Sequence, residues 1–181
     1  TRAWKAGHKR ECAPCAPAQH EPLPASTPTP EQLRLQARLD ELRGAMDWRG
    51  LMALESEALV VAQDVREVDP SMASMIYTVL GDAFSGVGQH RQAIDLHHAS
   101  KAIKEEMGDR AGIAYECNRL GTCYTSTGEF RQAISLHEQA IAISDELADR
   151  AEVGRACGNL GICYHKMGAD ARAIQLHAQD K

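Results

Sequence analysis

The chain has 181 residues, enough for one domain of ordinary size, and 44% of them are hydrophobic. Only 4% are aromatic, so we expect a core built from Ala, Leu and Ile on closely spaced helices. A formal net charge of −5 argues against a general nucleic-acid surface, because phosphate binding requires concentrated Lys and Arg. No apolar stretch approaches the roughly 20 residues that a membrane span requires, and no signal peptide is recognisable.

The N-terminal stretch contains His8 and Cys12 at a spacing typical of metal ligands. Together with Trp4 and Lys9 they resemble the end of a MYND-type zinc finger, although the gap between Trp4 and His8 is longer than usual. The resemblance implies that His8 and Cys12 are zinc ligands whose partner cysteines precede the first residue. Because a structural zinc site needs four ligands, we expect residues 1–12 to be a remnant, with zinc bound only in a longer protein. The alternative is a chance His and Cys in a basic tail.

The next segment, residues 13–30, carries six of the seven prolines. Such a segment cannot continue a helix and favours extended conformations. We interpret it as a linker. Because some MYND fingers bind proline-containing peptides, the "EPLP" sequence at residues 21–24 could instead be a ligand for such a finger.

The remaining sequence repeats with a period of forty residues. Each repeat has four landmarks: a Leu-Gly pair, a second glycine, an Ala-Ile pair and a Leu-His pair. The Leu-Gly pair begins at Leu80, Leu120 and Leu160, and the second glycine is Gly88, Gly128 or Gly168. The Ala-Ile pair begins at Ala93, Ala133 and Ala173, and the Leu-His pair begins at Leu96, Leu136 and Leu176. Internal repetition of this kind predicts a solenoid of stacked, similar units.

The apolar pattern of the middle repeat predicts two helices, over residues 109–127 and 130–147. Gly128 lies between them and suits a left-handed helix cap. Gly121 lies inside the first helix, where glycine costs about 1 kcal/mol relative to alanine. Its recurrence in every repeat predicts that it makes room for a close helix crossing.

A diverged unit precedes these repeats, because the sequence that begins at Asp47 aligns with the one that begins at Glu129. We therefore predict about eight helices in four units. The last unit ends inside its second helix, so we expect the chain to be a fragment of a longer protein. The units span residues 31–67, 71–107, 111–147 and a truncated 151–181.

These repeats resemble the tetratricopeptide repeat, and the forty-residue period is similar to the branch that includes kinesin light chains and LGN-type polarity adaptors. The resemblance implies an all-α fold of antiparallel helix pairs that form a right-handed superhelix. The residues that carry it in the middle unit are Leu120, Gly121, Tyr124, Gly128, Phe130, Ala133 and Ala140.

Two cysteine positions also repeat, and both lie on predicted helices. Free cysteine in such positions is a small buried hydrophobe, so we expect four unbridged thiols. Reduced thiols favour a cytoplasmic location, with the nucleus as the alternative. The four cysteines are Cys117, Cys123, Cys157 and Cys163.

Three histidines, His97, His137 and His177, recur where the resembled family usually packs an aromatic side chain. Their repetition with the packing period favours helix–helix contacts over a pH switch or a metal column. A cysteine activated by histidine is conceivable, but no nucleophile elbow, glycine-rich loop or paired-acid motif is present. We therefore predict that this chain is not an enzyme.

The resemblance implies that the first helices of the units line a concave peptide-binding groove. Asn and Arg side chains there can bond a peptide backbone or its acidic side chains. Three cationic side chains at these positions, Arg119, Arg155 and Lys166, predict a preference for an acidic peptide. The mapped positions are Met75, Thr78 and Asp82, followed by the candidate binding residues Tyr115, Asn118, Arg119, Thr122, Arg155, Asn159, His165 and Lys166.

The predicted function is that of a protein–protein interaction adaptor that contacts neither nucleic acid nor membrane. Thr78 and Asp82 stand where chaperone-binding relatives have Lys and Asn, so the carboxylate clamp of those relatives is not expected. One alternative is a regulatory or targeting arm of a larger enzyme whose catalytic domain lies outside this chain. Another is a spacer with an empty groove.

Overall fold

The computed structural model describes residues 28–168, and every regular element within them is an α-helix. The predicted all-α fold is confirmed. The zinc-finger resemblance in residues 1–12, most of the proline-rich segment, and His177 lie outside the described residues. The helices are α1 (Pro30–Gly44), α2 (Trp48–Ala53), α3 (Glu55–Val65), α4 (Pro70–Gly86), α5 (His90–Met107), α6 (Arg110–Thr127), α7 (Phe130–Glu146) and α8 (Arg150–Lys166).

The ends of the helices in the middle repeat agree with the prediction to within one residue, because local signals fix them. Asp109 caps α6: its Oδ1 accepts a hydrogen bond from the Gly112 N–H at 2.9 Å. Gly128 ends the same helix at φ +85°, the left-handed geometry that glycine adopts without strain. Asp69 and Asp149, one period away on either side, cap α4 and α8 in the same way.

The first unit differs from the prediction, because its second helix is divided. Leu54, at φ −94° and ψ 0°, separates α2 from α3. The second helix of the last unit lies outside the described residues. The eight described helices therefore match the predicted number for a different reason: one helix is split, and one is not described.

Each helix from α3 to α7 packs against the next along the chain, and α6 also packs against α8. First helices of successive units are thus neighbours, which is the arrangement of a solenoid. Buried residues form the core between them, with Phe84 the largest side chain among those almost fully enclosed. As predicted, small and aliphatic residues dominate; alanines 58, 62, 73, 83, 93, 133, 140 and 156 have no exposed surface.

In the second and third units, the repeated Leu-Gly and Leu-His pairs are explained by one contact between the two helices of the unit. His97 and His137 are fully buried, which confirms their packing role. A Cβ atom added at Gly81 would lie 2.8 Å from His97 Cε1, and one added at Gly121 would lie 2.6 Å from His137 Cε1. The close approach predicted at Gly121 is therefore made by an imidazole ring of the second helix.

The buried imidazole of His137 makes stability depend on pH. Burial lowers the pKa of His137 from 6.5 to about 4. Between these values the unfolded chain binds more protons than the folded chain, so stability falls as pH falls. We expect a loss of about 3 kcal/mol across this window.

Denaturant unfolding of the full chain at about pH 7 and about pH 4.5 measures this loss. In His137→Asn the amide keeps a polar partner for Asn118 but cannot titrate, so the variant should lose clearly less stability than the wild type. Equal losses in the two proteins would contradict the assignment to His137.

The four repeated cysteines are buried and form no disulfide with one another, as predicted. Burial raises the pKa of Cys117 to about 11 and also raises that of Cys123. These two thiols are therefore protonated at neutral pH, and a protonated thiol is a poor nucleophile.

Candidate peptide-binding groove

A cavity of about 170 Å³ lies between α6 and α8, the first helices of two successive units. Five of the eight candidate binding residues line it, together with one acidic residue that the sequence analysis did not propose. The lining residues are Tyr115, Asn118, Arg119, Glu152, Arg155 and Asn159.

Asn118 forms the floor of the cavity and joins the two units. It is only 6% exposed. Its Nδ2 donates to Glu152 Oε1 at 2.7 Å, and its Oδ1 accepts from Asn159 Nδ2 at 2.9 Å. His137 Nδ1 lies 3.0 Å from the same oxygen. With three partners inside the protein, Asn118 positions its neighbours.

Of the two asparagines, Asn118 is buried and Asn159 is half-buried. Its Nδ2 also lies 3.4 Å from Thr122 Oγ1, which places Thr122 beside the cavity. Among the described residues, no hydrogen bond to Asn159 Oδ1 is formed, so this oxygen can accept one from a ligand.

Arg119 and Tyr115 form one stacked pair at the edge of the cavity. The Arg119 guanidinium lies 4.8 Å from the centre of the Tyr115 ring, and its Nη2 donates to the Tyr115 hydroxyl at 2.6 Å. Asp82 on α4 holds the pair: its Oδ1 lies 3.3 Å from Arg119 Nε, and its Oδ2 accepts from the Tyr115 hydroxyl at 3.3 Å. The Arg119 side chain is 47% exposed, as expected for the groove edge.

Arg155 is held by a buried carboxylate. Its Nε and Nη2 lie 2.9 and 2.5 Å from Glu152 Oε2, while the Arg155 side chain remains 60% exposed. Glu152 is 4% exposed. Glu152 was not predicted to line the groove, because a glutamate three residues after the cap Asp149 is typical of the exposed first turn of a helix.

These ion pairs change the charge balance assumed from the sequence. Arg119 and Arg155 are cations with acidic partners, so the cavity is close to neutral. His165 and Lys166 are exposed near the end of α8 and do not line it. A preference for an acidic peptide therefore stays a prediction.

Thr78, mapped to the groove by resemblance, is buried instead in a polar network between α4, α5 and α6. It donates to Glu116 Oε1 at 2.5 Å, as does Ser100 at 3.0 Å and Lys104 at 2.6 Å. His97 Nδ1 lies 2.8 Å from Glu116 Oε2. Burial opposes ionisation of Glu116, but the hydrogen bond and charge of His97, with those of Lys104, lower its pKa from 4.5 to about 2.

A wider cavity of about 650 Å³ lies between α1 and α3 and shares no residue with the predicted groove. Aliphatic side chains line it between charged ones. Its lining residues are Glu31, Arg34, Leu35, Arg38, Leu54, Glu57, Val60 and Val61.

Residues 28–168 contain no group of three or more His, Cys, Asp or Glu side chains arranged to hold a metal ion. The predicted ligands His8 and Cys12 lie outside this range, so the zinc-finger remnant stays a prediction. None of the helices in the same range combines the length and hydrophobicity that crossing a membrane requires.

Comparison with known proteins agrees with the helical repeat fold. Residues 110–179 match the family model of the tetratricopeptide repeat. The structure of BtubC (BKLC) from P. vanneervenii is 25% identical with a TM-score of 0.66, and the match covers 78% of this chain and 57% of that one. No curated protein sequence matches the chain.

A putative kinesin light chain with nearly identical TPR-like repeats, from Podosopora anserina, is 18% identical with a TM-score of 0.61. That match covers 84% of this chain and 75% of the other. The chain thus spans little more than half of BtubC and about three quarters of the second protein. It is a helical repeat protein with the tetratricopeptide-type solenoid fold, and its residues 110–179 are similar to the tetratricopeptide repeat.

Proposed function

We propose that the chain is a protein-interaction adaptor that binds an extended peptide segment in the groove between α6 and α8. The observation that carries this proposal is the convergence of an aromatic ring, two arginines and an amide on one cavity between adjacent units. Such a set combines a stacking surface with hydrogen-bond donors and an acceptor, which is what a peptide backbone requires.

The arginines are oriented before a ligand arrives. Asp82 and Tyr115 fix one guanidinium, and Glu152 fixes the other, while both side chains remain largely exposed. A guanidinium has five N–H donors, so each keeps donors for a peptide carbonyl or carboxylate. Groups that are fixed in advance lose less conformational entropy on binding.

We propose an acidic peptide as the preferred partner. The carboxylates that pair with the arginines are less exposed than the guanidinium groups themselves: the side chain of Glu152 is 5% exposed and that of Asp82 is 15% exposed. A ligand therefore meets mainly the cationic ends, with Lys166 further along α8. Charge-assisted hydrogen bonds to carboxylates are stronger than those to neutral groups.

Selection of random peptides on the full chain, followed by affinity measurement of the enriched sequences, tests this proposal. Arg119→Gln should weaken binding of a selected acidic peptide roughly tenfold, about 1.4 kcal/mol. Binding should also weaken as salt concentration rises. The charge reversal Arg155→Glu is a poorer test, because the new carboxylate would lie beside the buried Glu152 carboxylate and destabilise the fold.

Arg110→Gln is the matched control. Arg110 lies on the same helix, has 51% side-chain exposure and pairs with Glu146 outside the cavity. It should leave the affinity within about twofold of the wild type. If no peptide is enriched, or if the two variants bind selected peptides equally well, the groove between α6 and α8 is not the binding site.

A further inference from the structure

Asp82 lies on α4, in the unit before the cavity, yet its carboxylate contacts two side chains of the proposed groove. Oδ2 accepts a hydrogen bond from the Tyr115 hydroxyl, and Oδ1 lies 3.3 Å from Arg119 Nε. The Asp82 side chain is 15% exposed. A single, mostly enclosed carboxylate therefore spans the Tyr115–Arg119 pair from behind.

The side of Asp82 away from the groove is closed by His97. The His97 ring is fully buried, its Nδ1 lies 2.8 Å from Glu116 Oε2, and one edge rests against Gly81. Its Nε2 lies 3.9 Å from Asp82 Oδ1. Since the imidazole is fixed on two sides, the carboxylate cannot retreat into the core.

The two facing atoms, His97 Nε2 and Asp82 Oδ1, are both buried and form no hydrogen bond within residues 28–168. Buried polar atoms usually have a hydrogen-bond partner, so each exception requires an explanation. The separation of 3.9 Å exceeds a normal hydrogen bond by about 1 Å. Asp82 is thus held toward Tyr115 and Arg119 at the expense of a closer contact with His97.

We propose that Asp82 is the positioning residue of the groove and that it sets the orientation of Tyr115 and Arg119 for a peptide. The inference rests on the proposed function. The charged and titratable groups that face Asp82 are His97 from α5, and Tyr115, Arg119 and Cys123 from α6. Burial, and then the Asp82 charge, raise the pKa of Tyr115, whereas Arg119 opposes this rise.

Because the Asp82 charge contributes to the raised pKa of Tyr115, the proposal can be tested without a ligand, by following the ionisation of Tyr115. In Asp82→Asn the carboxylate charge is removed, so the Tyr115 hydroxyl should ionise at lower pH than in the wild type. Nuclear magnetic resonance of labelled tyrosine rings follows this ionisation, and Tyr115→Phe identifies the resonance. Circular dichroism defines the pH range in which each protein stays helical.

The same variant should weaken binding of the peptides selected on the wild-type chain, by about the same factor as Arg119→Gln. Asp82→Glu restores the charge and should recover part of the Tyr115 shift. Asp64→Asn, an exposed aspartate on α3, is the matched control and should change neither measurement.

An unchanged Tyr115 titration in Asp82→Asn would overturn the proposal, whatever the peptides do. If Asp82→Asn lowers the pKa of Tyr115 but leaves the peptide affinity unchanged, the proposal for Asp82 is also overturned. The proposed function would still stand in that case, provided that Arg119→Gln weakens peptide binding. Failure of the proposed function is recognised separately, by selection that yields no peptide sensitive to Arg119→Gln. A lowered titration together with weaker binding supports the assignment.

Discussion

Glu116→Gln should lower the free energy of unfolding by about 3 kcal/mol. The carboxylate of Glu116 has no exposed surface and is the common partner of Lys104, His97 and two hydroxyl groups. A neutral amide of the same shape leaves the Lys104 ammonium, whose side chain is only 12% exposed, without its compensating charge. Denaturant unfolding of the full chain measures the change.

Glu146→Gln is the matched control, because Glu146 pairs with Arg110 on the surface with a side chain that is 65% exposed. Exposed ion pairs contribute little, so this variant should stay within about 1 kcal/mol of the wild type. Equal effects at the two positions would show that the buried network does not hold units two and three together.

The effect of Glu116 should also depend on pH in a defined direction. The pKa of Glu116 is lowered on folding from 4.5 to about 2. Its stabilisation is therefore fully present above pH 4.5 and is lost as pH falls toward 2. The difference in stability between wild type and Glu116→Gln should shrink across this window, which lies below most of the window expected for His137.

Gly121→Ala should lower the free energy of unfolding by about 2–3 kcal/mol, even though alanine is the better helix former. The new methyl carbon would lie 2.6 Å from His137 Cε1 and 2.7 Å from Nε2, well inside contact distance. The ring is fully enclosed, so relief requires the helices α6 and α7 to move apart. Thermal or denaturant unfolding measures the loss.

Gly44→Ala provides the control, because nothing lies within 4 Å of the added carbon at the end of α1. It should be neutral or stabilise by up to about 1 kcal/mol. In the His137→Ala background, where all the ring atoms are absent, Gly121→Ala should lose most of its cost. Additive effects of the two substitutions would rule out the contact as its cause.

The helix bounds of the middle repeat could be predicted closely from the sequence, because residues next to the helix ends fix them through capping interactions. Asp109 offers an oxygen to the first turn of α6, and Gly128 supplies a left-handed backbone that other residues avoid. Neither effect depends on distant residues. The division at Leu54 was not predicted from any such local feature.

Among the site residues, the sequence placed Tyr115, Asn118, Arg119, Arg155 and Asn159 on helices whose cavity they do share. It did not predict their partners. Asp82 comes from the unit before, and its pairing with Arg119 depends on which turns of α4 and α6 stack together. Glu152 pairs with Arg155 three residues further along α8, but its contact with Asn118 depends on how α6 and α8 stack. Thr78 was misplaced for the same reason: its position in the repeat matches Asn118, but its hydroxyl turns to Glu116.

The sequence predicts the repeat, the helix pairs and the burial of His97, His137 and the repeated cysteines, because a forty-residue period places similar caps and apolar stripes in successive units. Which charged side chains of different units meet depends on how those units pack. Asp and Glu are usually exposed, so the burial of Asp82 and Glu152 is not expected from their residue type. It arises from contacts with side chains of the neighbouring unit. Electrostatic energy depends on separation and surroundings, and neither quantity can be calculated from one unit's sequence alone.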